Sequence, residues 1–159
     1  MPEGGEGRDR SPEGDVEFVA QARLPTRYGD FTIFGFRERS TGKEHTAIVQ
    51  GDVAGTERCP VRVHSQCHTG DVMGSLRCDC RDQLEAALRY IATQPFGAVL
   101  YLRQEGRGIG LLNKIRAYSM QDLGFDTVEA NTYLDLPEDA RGYGVAAEML
   151  RSLGIKSLL

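Results

Sequence analysis

The chain has 159 residues, a net charge of −4, 40% hydrophobic residues and 26% charged residues, which suits a single domain with its own buried core. The acidic balance argues against a protein that coats DNA or RNA, since such proteins bind phosphates through an excess of basic residues. No apolar run approaches the roughly 18 residues of a membrane span, and the N-terminus lacks a secretory signal, so we expect no nucleic-acid or membrane partner and a cytoplasmic location.

The N-terminal third predicts a tail followed by a sheet. Residues 1–15 are rich in Gly, Pro and charge, which is typical of a disordered tail, and residues 16–159 are expected to form the domain. Alternating apolar and polar residues predict three antiparallel strands, at 16–25, 30–38 and 44–52. A fourth strand is predicted at 60–66.

Helical spacing begins after Cys80. Leu84, Ala87, Leu88 and Ile91 fall on one face of a predicted helix at 81–93. The remaining predicted elements are a buried strand at 97–102, a helix at 110–123 that stops at Gly124, a helix from near Asp139 to Leu153 and a strand that begins in IKSLL at 155–159. This order predicts an α+β (mixed α/β) fold with N-terminal antiparallel strands followed by alternating helices and strands.

Three of the four cysteines are clustered as C-x10-C-x-C, at Cys67, Cys78 and Cys80. Thiolates are soft ligands, and sulfur-rich tetrahedral sites favour zinc. The spacing leaves two kinds of site open. A closed structural site would take a fourth ligand from His64, His68 or Cys59, whereas a catalytic site would leave the fourth position to water. For Cys59, a buried free thiol is the simpler interpretation.

A glycine-rich loop, RQEGRGIG at 103–110, follows the buried strand and precedes a helix. Helix N-termini favour anions, and glycines let a ligand approach the backbone. The two arginines could pair with a phosphate or a base edge. The alternative is a solvated turn, because glycine-rich loops alone are weak evidence.

Five segments carry a family resemblance: RVHSQC at 62–67, TGDVMGSLRCDC at 69–80, QLEAAL at 83–88, RQEGRGIGLLNKIRAY at 103–118 and DTVEAN at 126–131. Together they closely resemble GTP cyclohydrolase II of riboflavin biosynthesis, from about residue 18 to the end. The resemblance implies zinc-dependent hydrolysis of GTP that opens the guanine imidazole ring at C8. Formate and pyrophosphate would be released to give 2,5-diamino-6-ribosylamino-4(3H)-pyrimidinone 5′-phosphate. It also implies Mg²⁺ with the triphosphate and a homodimer.

The resemblance further implies roles in metal binding and catalysis. One zinc ion per subunit would be held by Cys67, Cys78 and Cys80, with water completing the site. Asp139 matches the family's proton acceptor, and Tyr118 matches a tyrosine near the base. Arg141 matches an arginine assigned as nucleophile toward the α-phosphate. An electrostatic clamp is the physically easier role, because a guanidinium resists losing its proton.

Substrate contacts are also implied by the resemblance. Glu105 could read the guanine N1–H and exocyclic amine, because a carboxylate offers two acceptors to two adjacent donors. The full set of implied contacts is Arg62, Val63, His64, Ser65, Gln66, Gln83, Glu105, Gly106, Arg107 and Thr127.

Two departures from the family pattern stand out. Position 66 is glutamine where family members often carry glutamate, and we expect this difference to alter a hydrogen bond beside Cys67. The sequence also stops before the family's Thr-Asn-Asn-Pro-x-Lys segment, so we expect that a C-terminal segment is missing from it. It carries no part that resembles dihydroxybutanone-phosphate synthase, and we therefore expect a single activity.

Two other functions stay open at this point. An enzyme of the same scaffold could stop at the formylamino-pyrimidine nucleotide and retain the formyl group. A non-catalytic, zinc-stabilised nucleotide-binding module would instead have a closed site with four protein ligands.

Overall fold

The computed structural model describes residues 14–126, 129 and 144–159. The elements of these residues are β1 (Val16–Thr26), β2 (Gly29–Glu38), β3 (Glu44–Gln50), β4 (Val61–Ser65), a π-helical turn (His68–Val72), α1 (Cys80–Ala92), β5 (Gly97–Leu102), α2 (Leu111–Asp122) and α3 (Gly144–Leu153). This arrangement confirms the predicted α+β class. Most of the predicted tail, at 1–13, and the predicted start of the last helix, near Asp139, lie outside the described residues.

One five-stranded sheet has the order β1-β2-β3-β5-β4. The predicted antiparallel meander is confirmed, since β1 pairs with β2 and β2 pairs with β3, both antiparallel. At the first hairpin, the Thr26 hydroxyl accepts hydrogen bonds from the backbone N–H groups of Tyr28 at 3.1 Å and Gly29 at 3.2 Å. β5 then pairs antiparallel with β3, so the buried strand predicted at 97–102 lies inside the sheet.

The prediction of a strand in IKSLL is wrong, because the structure forms only an isolated β-bridge there, between Leu158 and Cys59. The Cys59 N–H donates to Ser157 O at 2.9 Å, and the Leu159 N–H donates to Cys59 O at 3.0 Å. The backbone of the next residue, Pro60, faces the opposite side, where its carbonyl oxygen accepts the Ala98 N–H at 3.0 Å. The described bridge therefore comprises one residue pair.

The chain divides into two compact units. The first comprises Met1–His64, Glu85–Leu102 and Tyr143–Leu159, and it contains the main hydrophobic core. There the apolar residues of α3 cluster with the buried face of the sheet, which includes Phe36 and Leu100. The second comprises Ser65–Leu84 and Arg103–Gly142, and it contains the clustered cysteines, the glycine-rich loop and α2. The bounds predicted for the catalytic domain stay a prediction.

Within the part of the chain that the structure describes, none of the helices has both the length and the apolar character that crossing a membrane requires.

A pair of leucine truncations tests the core. Leu100 is completely buried, whereas Leu112 on α2 is 69% exposed. We expect Leu100→Ala to lower the free energy of unfolding by about 2–5 kcal/mol, since the removed methyl groups leave a cavity. Leu112→Ala should change it by no more than about 0.5 kcal/mol. Denaturant titration of both variants measures the difference, and equal values would contradict the assigned core.

Candidate functional site

The three clustered thiols converge in the second unit. The Sγ atoms of Cys67, Cys78 and Cys80 all lie within 4.8 Å of one another, and those of Cys67 and Cys78 are 3.6 Å apart. A tetrahedral zinc ion with Zn–S bonds of about 2.3 Å keeps its sulfur ligands about 3.8 Å apart. The spacing and chemistry of these donors therefore fit zinc.

The backbone around Cys67 is shaped by a reciprocal pair of hydrogen bonds. The Cys67 N–H donates to Asp71 Oδ2 at 3.0 Å, and the Asp71 N–H donates back to Cys67 O at 2.7 Å. These bonds tie Cys67 to the π-helical turn that directly follows it, whose π-type bond runs from the Met73 N–H to His68 O at 3.4 Å. Asp71 thus fixes the position of the first thiol without belonging to the cluster.

Gly70 lies on the thiols at a distance that only glycine permits. A Cβ atom built at this residue would lie 2.8 Å from Cys78 Sγ, 3.1 Å from Cys67 Sγ and 3.1 Å from Cys80 Cβ. Any larger residue would displace sulfur atoms of the cluster. The glycine of the TGDVMG segment is therefore a packing requirement of the site.

The thiols interact electrostatically. Burial alone raises the pKa of the Cys67 thiol, but hydrogen bonds involving Lys114, the Gly70 backbone and Thr69 outweigh it and hold that pKa below its ordinary value. Burial, reinforced by the neighbouring thiols, raises the pKa of Cys80 well above its ordinary value. Three thiolates this close together repel one another, so their joint ionisation requires a cation.

Among the described residues, the metal-ligating group contains three thiols and no fourth side chain from His, Cys, Asp or Glu. Two of the candidate fourth ligands belong to the first unit. There Cys59 is buried, which raises the pKa of its thiol, and His64 stacks on Tyr101 with ring centroids 5.5 Å apart. His68 has its backbone, not its side chain, hydrogen-bonded to Glu105. This donor set favours the open, three-ligand alternative.

A buried ion pair lies directly beside the cluster. Lys114 Nζ donates to Cys67 Sγ at 3.1 Å and also to Glu105 Oε1. The His68 N–H donates to the other carboxylate oxygen, Glu105 Oε2, at 2.8 Å. Burial lowers the pKa of Lys114, but the hydrogen bonds and charges of Glu105 and Cys67 outweigh it and raise that pKa above its ordinary value.

The side chain of Tyr118, a residue of α2, makes contacts through both its ring and its hydroxyl group. The guanidinium carbon of Arg77 lies 4.6 Å from the ring centroid, within cation–π range. Arg77 also pairs with Asp122 on the same helix. The Tyr118 hydroxyl and the Thr69 hydroxyl are 3.4 Å apart. The structure thus places the predicted Tyr118 in the unit that contains the thiols.

The glycine-rich loop has an unusual backbone. Gly106 has φ of +63°, and the next residue, Arg107, has φ of +58° although it carries a side chain. The left-handed region costs a residue with a Cβ about 1–2 kcal/mol. Arg107 is exposed on this strained loop. Such strain is often found where the backbone serves binding.

The other predicted site residues lie in several places. Ser65 and Gln66 are half-buried in the second unit, where the exposed Gln83 donates to both Asp79 carboxylate oxygens at 3.0 Å. Arg62, Val63 and His64 lie on β4 in the first unit. Thr127, Asp139 and Arg141 lie outside the described residues.

Sequence reasoning gave no role to Lys114 or Asp71, although both fall in the segments that carry the family resemblance. Asp71 is four residues after Cys67, a spacing typical of local side chain–backbone capping. Lys114 contacts a thiol 47 residues earlier in the chain. No local spacing rule predicts such a contact.

The chain matches known proteins along most of its length. The model of the family described as GTP cyclohydrolase II matches residues 17–159. The GTP cyclohydrolase-2 of Picrophilus torridus is 55% identical over 143 residues, which cover 90% of this chain and 74% of that protein. The GTP cyclohydrolase-2 of Aeromonas hydrophila subsp. hydrophila is 57% identical over 143 residues, covering 90% of this chain and 73% of that protein.

Two further similarities involve longer proteins. The riboflavin biosynthesis protein RibBA of Chlamydia muridarum is 57% identical over 144 residues, which cover 90% of this chain but 34% of that protein. A solved structure of RibBX, a two-domain 3,4-dihydroxy-2-butanone 4-phosphate synthase from A. baumannii, matches with a TM-score of 0.51 at 23% identity. The match covers 91% of this chain and 34% of that one, and it supports the fold alone.

A glycine substitution tests the packing of the metal centre. We expect Gly70→Ala to weaken zinc binding by about tenfold or more, because the added methyl group forces the thiols apart. Gly144→Ala is the matched control, since a Cβ at Gly144 meets no atom within 4 Å. Competition with a chromogenic chelator measures both affinities. Equal zinc affinity in the two variants would show that the cluster tolerates a side chain at position 70.

Proposed function

The chain belongs to the GTP cyclohydrolase II family, and we propose that it is a zinc-dependent hydrolase that opens the guanine ring of GTP at C8. As a hydrolase of this family, it acts on GTP in riboflavin biosynthesis. The proposed products are formate, pyrophosphate and 2,5-diamino-6-ribosylamino-4(3H)-pyrimidinone 5′-phosphate. The observation that carries the proposal is the convergence of three thiols beside a buried carboxylate in one unit.

Zinc is proposed to be held by Cys67, Cys78 and Cys80. When bound, it supplies Lewis-acid chemistry that makes water a stronger nucleophile at neutral pH. Among the described residues, the cluster has three side-chain ligands, which suits a catalytic site more than a structural one. The surrounding protein holds the thiols in place through Gly70 and Asp71.

Guanine recognition is proposed to depend on Glu105. Its carboxylate is only 10% exposed and is oriented by Lys114 on one oxygen and by the His68 N–H on the other. A carboxylate oxygen has two lone pairs, so each oxygen can still accept a bond from guanine N1–H or from the exocyclic amine. An adenine base presents no matching pair of donors and would leave a buried charge poorly paired. Tyr118 is proposed to lie near the base.

The triphosphate is proposed to enter as its Mg²⁺ complex and to meet arginines. Arg107 is exposed on the left-handed part of the glycine-rich loop, where its side chain is accessible to an anion. Arg141 is proposed as an electrostatic clamp on the α-phosphate, because a guanidinium is a poor nucleophile while protonated. Asp139 is proposed as the proton acceptor.

The remaining proposed substrate contacts follow the family resemblance. They comprise Arg62, Val63, His64, Ser65, Gln66, Gln83, Gly106 and Thr127. We also propose a cytoplasmic location and a homodimer, again from the family. Neither nucleic acid nor a membrane is part of the proposal.

The reaction consumes water at each bond that breaks. One water adds at C8, and cleavage of the C8–N9 bond leaves a formamide. A second water cleaves that formamide and releases formate. A third adds to the α-phosphorus as pyrophosphate departs. An enzyme of the alternative type would omit the second of these steps.

Product analysis tests the proposal directly. We expect zinc-loaded protein with GTP and Mg²⁺ to release formate and pyrophosphate in equal amounts. Cys78→Ala should abolish both products and lose zinc, because it removes one of three ligands. Cys59→Ala should retain zinc and turnover, since Cys59 lies outside the cluster. Formate, pyrophosphate and bound zinc are quantified together for each protein.

Two results would overturn parts of the proposal. Pyrophosphate together with a formylated pyrimidine, and no formate, would identify the enzyme that retains the formyl group. A metal-loaded protein that binds GTP without consuming it would identify a non-catalytic binding module.

A further inference from the structure

A ring of hydrogen bonds joins the metal centre to the base-reading carboxylate. Lys114 Nζ contacts Cys67 Sγ at 3.1 Å and pairs with Glu105 Oε1. Glu105 Oε2 accepts the N–H of His68 at 2.8 Å, and the backbone closes the ring from His68 to Cys67. A metal ligand and a substrate-reading group therefore share one lysine.

The side chain of Lys114 is held in this position by the residues packed around it. Its side chain is 11% exposed and that of Glu105 is 10% exposed. Its backbone N–H donates to Gly110 O at 3.1 Å in the first turn of α2. A Cβ at Gly106 would lie 3.1 Å from Lys114 Cβ, so the loop that carries Glu105 packs closely against the lysine stem. A buried side chain with this packing has little freedom to leave the ring.

The charges explain why a cation is needed there. Three thiolates and the Glu105 carboxylate together carry four negative charges, against two positive charges on a zinc ion. The Lys114 ammonium cancels one of the remaining charges. It is also a compact charge with three donors, which allows it to serve a sulfur and a carboxylate at once.

We propose that Lys114 is a positioning residue that fixes Glu105 relative to the metal centre and thereby sets the preference for guanine over a base without the exocyclic amine. The inference rests on the proposed function. With Lys114 in place, Glu105 is anchored through both oxygens and keeps one lone pair on each for the base. Without it, the carboxylate is anchored through one oxygen, rotates and reads the two donors poorly.

The test compares the binding of two nucleotides that differ at the exocyclic amine. GTP and ITP analogues that resist every step of the reaction are titrated calorimetrically into the zinc-loaded protein. They carry carbon in place of N7, so that C8 no longer lies between two nitrogens, and a methylene group between the α- and β-phosphorus atoms. We expect Lys114→Met to reduce the preference for the guanine analogue by about tenfold or more. Phosphate contacts are the same for both analogues, so the ratio reports on base recognition. Lys114→Gln is the second variant and carries the same expectation.

The matched control is Arg116→Met on the same helix. Arg116 is exposed and bonds to Asn113 one turn away. We expect this variant to retain the wild-type preference. Cobalt replacing zinc gives a sulfur-to-metal absorption band, and loss of the Lys114–Cys67 hydrogen bond should move this band to longer wavelength. The band should not move in Arg116→Met.

A double-mutant cycle tests whether Lys114 acts through Glu105. We expect Glu105→Gln combined with Lys114→Met to bind the guanine analogue about as well as Glu105→Gln alone, because the lysine has lost the group it positions. Losses that multiply in the double variant would overturn the proposal. An unchanged guanine preference in Lys114→Met would overturn it as well, whatever the cobalt band shows.

The proposed function fails separately from this inference. If wild-type protein binds neither analogue, the GTP-binding assignment itself is wrong. If wild-type protein discriminates between the analogues and Lys114→Met does so equally well, only the role of Lys114 is wrong.

Discussion

Mutual repulsion among three clustered thiolates, one buried and two half-buried, is the constraint on which the second unit depends. Sulfur atoms within 4.8 Å of one another cannot all ionise unless positive charge lies beside them. Lys114 supplies one part of that charge at 3.1 Å from Cys67. A zinc ion would supply the larger part, because thiolates, sulfur spacing and the three-ligand set all suit it. The donor set thus suits a metal ion, whose positive charge the lysine would supplement.

The local backbone conformation brings the three thiols together. Reciprocal Cys67–Asp71 hydrogen bonds tie Cys67 to the π-helical turn that follows it, Gly70 lies against the sulfur atoms, and Cys80 begins α1. These features belong to one continuous segment, so a change in any of them moves a ligand. The same segment provides the His68 N–H that orients Glu105. The proposed metal ligands and the carboxylate proposed to read the base therefore depend on one piece of backbone.

Local pattern predicted the sheet, most of the helices and the cysteine cluster, because alternation, helical spacing and C-x-C are short-range signals. The contacts of Lys114 with Cys67 span 47 residues, and no short-range signal reports them. The strand predicted in IKSLL is reduced in the structure to one bridge, between Leu158 and Cys59, and local alternation does not report a partner so distant in the chain. Family resemblance supplied the substrate contacts and the roles of Asp139 and Arg141, which lie outside the described residues.

The Lys114–Cys67 hydrogen bond also bears on the strength of the metal as a Lewis acid. Three thiolates would leave a zinc site with a formal charge of −1, and their electron donation weakens its pull on water relative to a site of neutral histidines. A hydrogen bond to a thiolate withdraws electron density from the sulfur, so Lys114 opposes that weakening at Cys67. Glu105 holds the ammonium in this position through a buried ion pair. One largely buried lysine thus links the cysteine cluster with the orientation of the carboxylate proposed to read the base.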